Sequence, residues 1–331
     1  MAQADRAARF EAEISEDAVL PFSVPALHVR GRVIRLGTVV DEILRRHEFP
    51  VPVSRLLGEA LVLTALLGSS LKFTGRFVLQ TRSDGIVDFL VSDYEVPGKL
   101  RGYCRYDAEK LAGHMDEDLS PGLLMGEGHL AFTVDQGSDM QQYQGIVPLE
   151  GESLAEVAQN YFRQSEQIPT RIRLAASEIY MPSPLAGTPA EKVWRAGGIV
   201  AQYLPKSGGL GETETYGFVG GQDDYHAADG GANTDSWTEA ASFIDTVEDH
   251  ELLDPMVPPE RLLYRLFHER GVRVFDKAAI GVHCRCSRER IGGILKQFDD
   301  RERDDMTEDG VIRVKCEFCA RTYEFDPSNI I

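Results

Sequence analysis

The chain has 331 residues, of which 43% are hydrophobic, so it is long enough for one sizeable domain and smaller parts. Its formal charge of −18 argues against nucleic-acid binding, because contacts with phosphates need clustered Lys and Arg. Residues 1–17 lack the apolar segment of a secretory signal, and the longest apolar run, residues 60–67, is too short to span a bilayer. We therefore expect a cytoplasmic protein that binds neither membrane nor nucleic acid.

The first part of the chain begins with a polar segment and continues into a folded domain. Residues 1–25 are predicted to form a polar N-terminal extension with at most a frayed helix. Residues 27–34 alternate between apolar and polar side chains, which indicates a strand. Thr38 is expected to cap a short helix. Ser54 is expected to open a second helix, whose apolar face is wide enough to predict a buried position.

Further strands and one helix complete this domain. Asp-Gly and Pro-Gly turn signals separate the first of the strands. The strand candidates are residues 75–81, 85–92, 99–106, 129–134 and 142–149. A capping box at Ser153 and Glu156 predicts a helix, and an extended segment follows Pro169. We assign residues 26–205 to an α+β core domain of sheets and helices.

An acidic segment follows the core domain. Residues 206–260 hold 13 acidic residues and one Lys, a net charge of −12, and eight glycines fall between positions 208 and 231. Charge without apolar content resists collapse, so residues 207–234 are predicted to be disordered. Beyond them, an amphipathic stripe starting at Trp237 and a short helix at residues 261–268 are expected. We assign residues 206–271 to a metastable linker, and a passive linker is the plainer interpretation.

Four of the five cysteines lie near the C-terminus, as a Cys-x-Cys pair and a Cys-x-x-Cys pair. Cys284 and Cys286 form the first pair, and Cys316 and Cys319 form the second. Four thiolates complete the tetrahedral shell that zinc prefers and leave no open position for a substrate. We therefore predict one Zn²⁺ per chain, in a zinc-binding domain over residues 272–331.

The segments around the cysteines have the pattern of a compact metal-binding module. Ser287 can cap a short helix, and Gly310 turns the chain into a strand at residues 311–315. Residues 322–325 would form the second arm of the hairpin. A module of this size has little core, and structural zinc contributes about 10–16 kcal/mol in small peptides. Oxidation of the thiolates would therefore unfold the module, which makes it a candidate switch.

Two other residues of metal-binding type, His283 and Cys104, are not expected to bind the metal. His283, directly before Cys284, is a possible competing ligand, but four sulfurs already complete the shell. Cys104 shares one face of its predicted strand with apolar residues, so we expect a buried core thiol without a redox role.

Other functional classes have less support in the sequence. A thiol-disulfide oxidoreductase would carry its Cys-x-x-Cys at the start of a helix, whereas Cys316 and Cys319 join two strand candidates. No P-loop is present, so ATP-driven refolding has no support, and we expect no enzymatic activity. A zinc-ribbon protein that binds nucleic acid or a partner through a purely structural zinc site is the main alternative, weakened by the acidic charge.

The chain resembles the redox-regulated bacterial holdases known as the thirty-three-kilodalton chaperonin family. The resemblance extends from about residue 27 to 325 and includes the zinc-binding segments. The matching core motifs are Leu71-Lys72-Phe73-Thr74-Gly75, Arg101-Gly102-Tyr103-Cys104-Arg105, Tyr143-Gln144-Gly145-Ile146-Val147, Tyr161-Phe162-Arg163-Gln164-Ser165-Glu166-Gln167-Ile168-Pro169-Thr170-Arg171 and Trp194-Arg195-Ala196-Gly197-Gly198. The segments with cysteines are Cys284-Arg285-Cys286-Ser287-Arg288-Glu289-Arg290 and Cys316-Glu317-Phe318-Cys319.

The resemblance implies a mechanism. Family members hold zinc on four thiolates when reduced, and are then inactive. Oxidants release the metal, and each neighbouring pair, Cys284 with Cys286 and Cys316 with Cys319, closes into a disulfide. The module and linker then unfold, and the protein dimerises and holds unfolding client proteins without ATP; the reduced form would be a monomer.

Two parts of the chain depart from the family pattern. The N-terminal extension and the Gly/Asp-rich stretch at residues 208–235 exceed the usual length, so we expect the switchable linker mainly at residues 237–271.

Overall fold

The computed structural model describes residues 17–71, 74–114, 119–136, 142–181, 189–204 and 234–327. Helices and mostly antiparallel sheets combine in these residues, which confirms the predicted α+β class. The strands are β1 (Ala18–Val24), β2 (Val29–Leu36), β3 (Arg76–Ser83), β4 (Phe89–Glu95), β5 (Lys99–Arg105), β6 (Gly128–Asp135), β7 (Tyr143–Pro148), β8 (Thr170–Met181), β9 (Glu191–Tyr203), β10 (Arg273–Val274), β11 (Ala278–Ala279), β12 (Gly281–Val282), β13 (Thr307–Glu308), β14 (Val311–Lys315) and β15 (Thr322–Phe325). The helices are α1 (Thr38–Arg45), α2 (Val51–Gly68), α3 (Ala108–Ala112), α4 (Pro121–Met125), α5 (Leu154–Tyr161), α6 (Thr234–Asp245), α7 (Asp249–Leu253), α8 (Pro259–Phe267), α9 (Arg288–Leu295) and α10 (Asp300–Asp305).

Two large sheets pack around helix α2. The first sheet has the order β10-β1-β2-β9-β8, with β11 also paired to β1, and the second has the order β12-β5-β4-β3-β6-β7. Leucines and valines of α2 are buried against both sheets in one continuous core. The helix is apolar on nearly every side because it has sheet on both sides of it.

Helix α2 is the one helix, within the part of the chain that the structure describes, with the length and composition to cross a membrane. However, 78% of this 18-residue stretch is buried inside the protein. The apolar segment is thus longer than the run at residues 60–67 suggested, because Gly58 and Glu59 interrupt that run in the sequence without ending the helix.

A second hydrophobic cluster lies on the other face of the first sheet. Helices α6, α7 and α8 cover this face, with Ile244, Leu263 and Phe267 among the buried contacts. The ring of Phe267 stacks on that of Phe22 in β1, with centroids 5.8 Å apart. The predicted amphipathic stripe and the predicted helix at residues 261–268 correspond to α6 and α8. The stretch predicted to be disordered, residues 207–234, lies outside the described residues except for its last position.

The N-terminal boundary of the folded core was predicted wrongly. Residues 18–24 form β1, which pairs along its whole length with β2, instead of belonging to a polar extension. Pro21 weakens the strand pattern in the sequence, since proline cannot donate to a ladder. Residues 1–16, the rest of the predicted extension, lie outside the described residues.

The C-terminal boundary of the core also differs from the prediction. Residues 273–282 were assigned to the zinc-binding domain, but they supply β10 and β11 to the first sheet and β12 to the second. Each of these strands has two residues, which is too short to leave an alternating pattern in the sequence.

Strand β9 was not predicted, although it is central in the first sheet between β2 and β8. Most of its residues from Ala196 onward are buried, and Gly197 and Gly198 lie in its middle. A strand buried on both faces shows no alternation, and glycine lowers β propensity.

The cap of helix α1 also differs from the prediction. Thr38 is its first residue, but its side chain makes no capping contact. Instead, Asp17 Oδ1 accepts hydrogen bonds from the amides of Gly37, at 2.8 Å, and Val39, at 3.1 Å. The capping group therefore comes from the residue before β1, which no local pattern could indicate.

Glu59 makes the stability of the core depend on pH. This carboxyl group lines a cavity of about 710 Å³ between α2, β8 and α7, and burial raises its pKa to about 8, with Arg55 opposing the shift. In the unfolded chain the pKa is about 4.3. The folded state therefore holds a proton that the unfolded state has released, so stability falls as pH rises from about 4.3 to 8.

We expect Glu59→Gln to raise the melting temperature by roughly 3–10 °C at pH 8.5 and by much less at pH 5. Thermal denaturation at both pH values measures this. Glu150→Gln, at an exposed position, is the control and should change neither value. An equal gain at both pH values would contradict the assignment to ionisation.

Candidate metal centre

The first cysteine pair follows directly from the core. Strand β12 pairs in parallel with β5, with Val282 opposite Leu100. The amide of His283 then donates to the Leu100 carbonyl at 3.1 Å, which holds the backbone one residue before Cys284. After Cys286, Ser287 caps α9 by accepting from the Arg290 amide at 3.1 Å, as predicted.

The second pair lies on the turn between β14 and β15, the hairpin that the sequence predicted. The amides of Phe318 and Cys319 donate to the sulfur of Cys316. The amide of Ala320 donates to the Cys316 carbonyl at 2.8 Å, and Ala320 has a φ of +56°. Burial raises the pKa of Cys316, and the amides of Phe318 and Cys319 oppose the shift because they stabilise the thiolate, which is the form that binds metal.

The four sulfurs meet in one cluster. The Sγ atom of Cys286 lies 3.3 Å from that of Cys284 and 3.3 Å from that of Cys319, and Cys284 Sγ lies 3.6 Å from Cys316 Sγ. All four lie within 4.8 Å of one another. A tetrahedral zinc ion with Zn–S bonds of about 2.3 Å separates its sulfurs by about 3.8 Å. The four cysteines therefore fit a metal ion of this size.

Electrostatics within the cluster favour a bound cation. Burial alone would raise the pKa of Cys286, but hydrogen bonds from Tyr323 Oη, at 3.3 Å, and from the neighbouring thiols lower it to about 7. Burial raises the pKa of Cys319 to about 12, with the neighbouring thiols adding to the shift. Four thiols at this spacing cannot all ionise next to one another without a compensating positive charge.

Small solutes can reach the cluster from one side. A polar cavity of about 540 Å³ opens between α1 and the cysteine turns. Its lining residues are Glu42, Arg46, Val282, Cys284, Cys286, Cys319, Ala320 and Arg321. Three of the four cysteines therefore face a space large enough for a small oxidant.

The module that carries the cysteines has a small core of its own. Its buried apolar side chains are Ile291, Leu295, Ile312 and Phe325, separate from the two larger clusters. The guanidinium of Arg288 lies 4.6 Å from the centre of the Phe325 ring. A core of this size contributes only a few kcal/mol, so the module has little stability of its own.

The remaining candidates lie apart from this cluster. His283 does not belong to the group that could hold a metal. Cys104 lies on β5 within the main core, and burial raises the pKa of its thiol. The Tyr323 hydroxyl was missed by sequence reasoning. Its only sequence signal is the strand alternation that puts it on the face opposite Thr322 and Glu324.

Comparisons with known proteins agree on one family. The family model described as "Hsp33 protein" matches residues 17–326. The 33 kDa chaperonin of Caulobacter vibrioides is 44% identical over 317 residues, covering 95% of this chain and 96% of that protein. The 33 kDa chaperonin of Pseudomonas aeruginosa is 37% identical over 304 residues, covering 91% and 89%. The crystal structure of the 33 kDa chaperonin of Thermotoga maritima shares the fold, with a TM-score of 0.72 at 22% identity. The match covers 95% of this chain and 96% of that one.

Proposed function

The chain belongs to the Hsp33 family, and from that premise we propose that it is a redox-regulated chaperone that holds unfolding proteins without ATP. The observation that carries this proposal is the cluster of four sulfurs on a module with almost no core of its own. Binding of clients requires no catalytic group, and we propose none. Its partners would be unfolded proteins under oxidative or heat stress, and its compartment the reducing cytoplasm.

In the reduced state, Cys284, Cys286, Cys316 and Cys319 would hold one Zn²⁺. When bound, the metal supplies the positive charge that allows four close thiolates to ionise together. The backbone amides at Cys316 and the hydroxyl of Tyr323 orient and stabilise individual sulfurs. The module would then remain folded, and the protein inactive.

Oxidation would remove these ligands. For each disulfide, two thiolates give up two electrons as the sulfur–sulfur bond forms, and one hydrogen peroxide molecule accepts these electrons and two protons from solvent to form two water molecules. We propose that Cys284 pairs with Cys286, and Cys316 with Cys319. Sulfurs from different pairs are equally close in the folded cluster, but short loops close at lower entropic cost once the module unfolds.

Loss of the module would then release the linker helices. Strands β10 and β11 connect α8 to the module, and each pairs with β1 through two residues. The ion pair from Arg171 to Asp245, at 2.5 Å, is about 40% exposed at both side chains and contributes little. Unfolding of α6, α7 and α8 would uncover the apolar outer face of the first sheet. We propose that this face, together with the unfolded linker, contacts clients and supports a homodimer.

The deciding experiment treats the protein with peroxide during mild warming. We expect about one zinc per chain before treatment and none after. Suppression of the aggregation of a thermally unfolding client should appear in parallel without ATP, and reduction with zinc should reverse it. Peptide mapping should find the two neighbouring disulfides. Cys104→Ser should keep its zinc when reduced and form the same two disulfides when oxidised, because that thiol is buried in the core away from the cluster.

Two results would argue against the proposal. If the oxidised protein never suppresses aggregation, the chaperone assignment fails. If it suppresses aggregation while residues 234–327 stay protected from hydrogen exchange, the unfolding mechanism fails. Salt-dependent binding to nucleic acid in the reduced state would favour a zinc-ribbon function instead.

A further inference from the structure

Each cysteine pair includes a side chain that points to the core instead of the metal. Arg285 is the middle residue of the Cys-x-Cys pair, and Phe318 lies within the Cys-x-x-Cys turn. Both side chains reach one surface of the core, formed by β4, β5 and the segment after α1. We call this surface the docking face and define it by His47, Asp93, Arg101 and Tyr103.

The first contact is a largely buried ion pair. The Arg285 guanidinium donates to Asp93 Oδ2 on β4, and its Nε lies 3.5 Å from Glu95 Oε2. The side chains of Asp93 and Arg285 are only 6% and 21% exposed. An ion pair at this depth is screened little by water. Asp93 also faces Arg101, at 2.9 Å, and Arg76, at 3.9 Å. Neutralising Asp93 therefore removes the carboxylate that three guanidinium groups share, whereas removing Arg285 leaves Asp93 with two cations.

The second contact is aromatic. The guanidinium of Arg101 lies 4.0 Å from the centre of the Phe318 ring, within the range of a cation–π interaction. The ring of Tyr103 lies 6.4 Å from that of Phe318, and His47 Nε2 lies 3.2 Å from the Phe318 carbonyl oxygen. The second cysteine turn is therefore held through both its side chain and its backbone.

Arg101 joins the two contacts. Its guanidinium donates to Asp93 Oδ2 at 2.9 Å and also covers the Phe318 ring. Asp93, which binds the turn of Cys284 and Cys286, is thus held in place by Arg101, the side chain that also contacts the turn of Cys316 and Cys319. Movement of either turn changes the surroundings of the other.

We propose that Arg285 and Phe318 are positioning residues, which hold the two cysteine turns together on the docking face and so retard loss of the metal. The inference rests on the proposed zinc site. Release of the metal requires the two turns to separate, and they cannot separate while both are fixed to a rigid sheet. Asp93 and Arg101 therefore influence metal retention from the core, although neither contacts a sulfur. To the extent that docking raises the equilibrium affinity for the metal, linkage requires that loss of the metal weakens docking by the same factor.

The test measures how fast reduced, zinc-loaded, full-length protein transfers its zinc to an excess of chromogenic chelator. We expect Asp93→Asn and Arg285→Gln each to accelerate transfer roughly tenfold or more, as for the loss of one partner of a buried pair. The transfer rate of the double variant should exceed that of either single variant by no more than about threefold, because both changes remove the contact between Asp93 and Arg285.

Arg313→Gln is the matched control. Arg313 belongs to the same module and forms an ion pair with Glu324 at 3.0 Å, but on the exposed hairpin away from the core. Its substitution should leave the transfer rate unchanged.

Phe318→Leu tests the second contact. It keeps an apolar side chain without the ring, changes nothing in the core, and should accelerate zinc transfer, as Asp93→Asn does.

Hydrogen exchange supplies a readout that does not depend on the metal assay. The amides of Gly281 and His283, which bond to Gly98 and Leu100 at 2.8 and 3.1 Å, should exchange faster in the docking variants. The amides of α2 should stay protected, which shows that the core is intact. Transfer rates within about twofold of the unchanged protein, or fully multiplicative effects in the double variant, would overturn the proposal. The zinc-transfer assay contains no client protein. Its outcome therefore does not depend on whether the protein suppresses aggregation, and the two proposals can fail separately.

Discussion

A chain with serine in place of both Cys316 and Cys319 is expected to bind no zinc and to lose the fold of its C-terminal module. Two ligands cannot hold a closed tetrahedral site, and structural zinc contributes about 10–16 kcal/mol in comparable small modules. The four buried apolar side chains of the module cannot replace that contribution. Hydrogen exchange in β14 and β15 should approach the rate of an unfolded chain, and metal analysis should find no zinc.

Cys104→Ser is the control for this variant. Its thiol lies on β5 in the main core, so the substitution should lower stability but keep about one zinc per chain. The double variant should also hold clients without oxidation, since its module is already unfolded. Stoichiometric zinc in the double variant would contradict the assignment of the four ligands.

Gly197→Ala is expected to release the linker helices without oxidation. An added Cβ at Gly197 would lie 2.4 Å from the Leu252 carbonyl oxygen at the end of α7 and 3.3 Å from that of Ile34. Both atoms belong to the backbone, so no side chain can move aside to relieve the contact. Helix α7 must therefore lift from the sheet, and overpacking of this kind costs about 1–3 kcal/mol.

Lifting α7 has a second consequence. Arg35, which is 3% exposed, donates to the carbonyl oxygens of Glu251 and Asp254 at the end of this helix. Lifting the helix would break these bonds, so they oppose the displacement and set how far the added methyl group must strain the docked state before α7 separates. The fluorescence of Trp237, whose ring lies 6.3 Å from that of Tyr203, should change as α6 separates from the sheet.

The measurement is aggregation suppression by the reduced, zinc-loaded Gly197→Ala protein, together with hydrogen exchange. Exchange should rise across residues 234–267 and stay slow in α2. Gly293→Ala on α9 is the control, because an added Cβ there meets nothing within 4 Å, and alanine favours a helix by about 0.5–1 kcal/mol. A linker that remains protected in Gly197→Ala would contradict the expected displacement.

Local signals in the sequence were sufficient for the elements that depend on near neighbours. The hairpin at Val311–Lys315 and Thr322–Phe325 follows from alternation and from Gly310, whose φ of +80° suits glycine. Ser287 and Ser153 cap their helices through amides three residues ahead. The spacing of the four cysteines likewise predicted one site, because each tight turn brings two sulfurs together and two such pairs complete a tetrahedral shell.

Contacts between distant residues could not be predicted, and only the tertiary structure decided them. The pairing of β1 with β10 and β11, the cap that Asp17 supplies to α1, and the ion pair between Asp93 and Arg285 join residues far apart in the chain. The residues in these contacts are of common types, and contacts between distant residues leave no periodic pattern in the sequence. The partner of each residue is therefore fixed only when the sheets bring the two together. The sequence by itself therefore identified the four cysteines of the cluster, whereas the tertiary structure decided which part of the core that cluster is attached to.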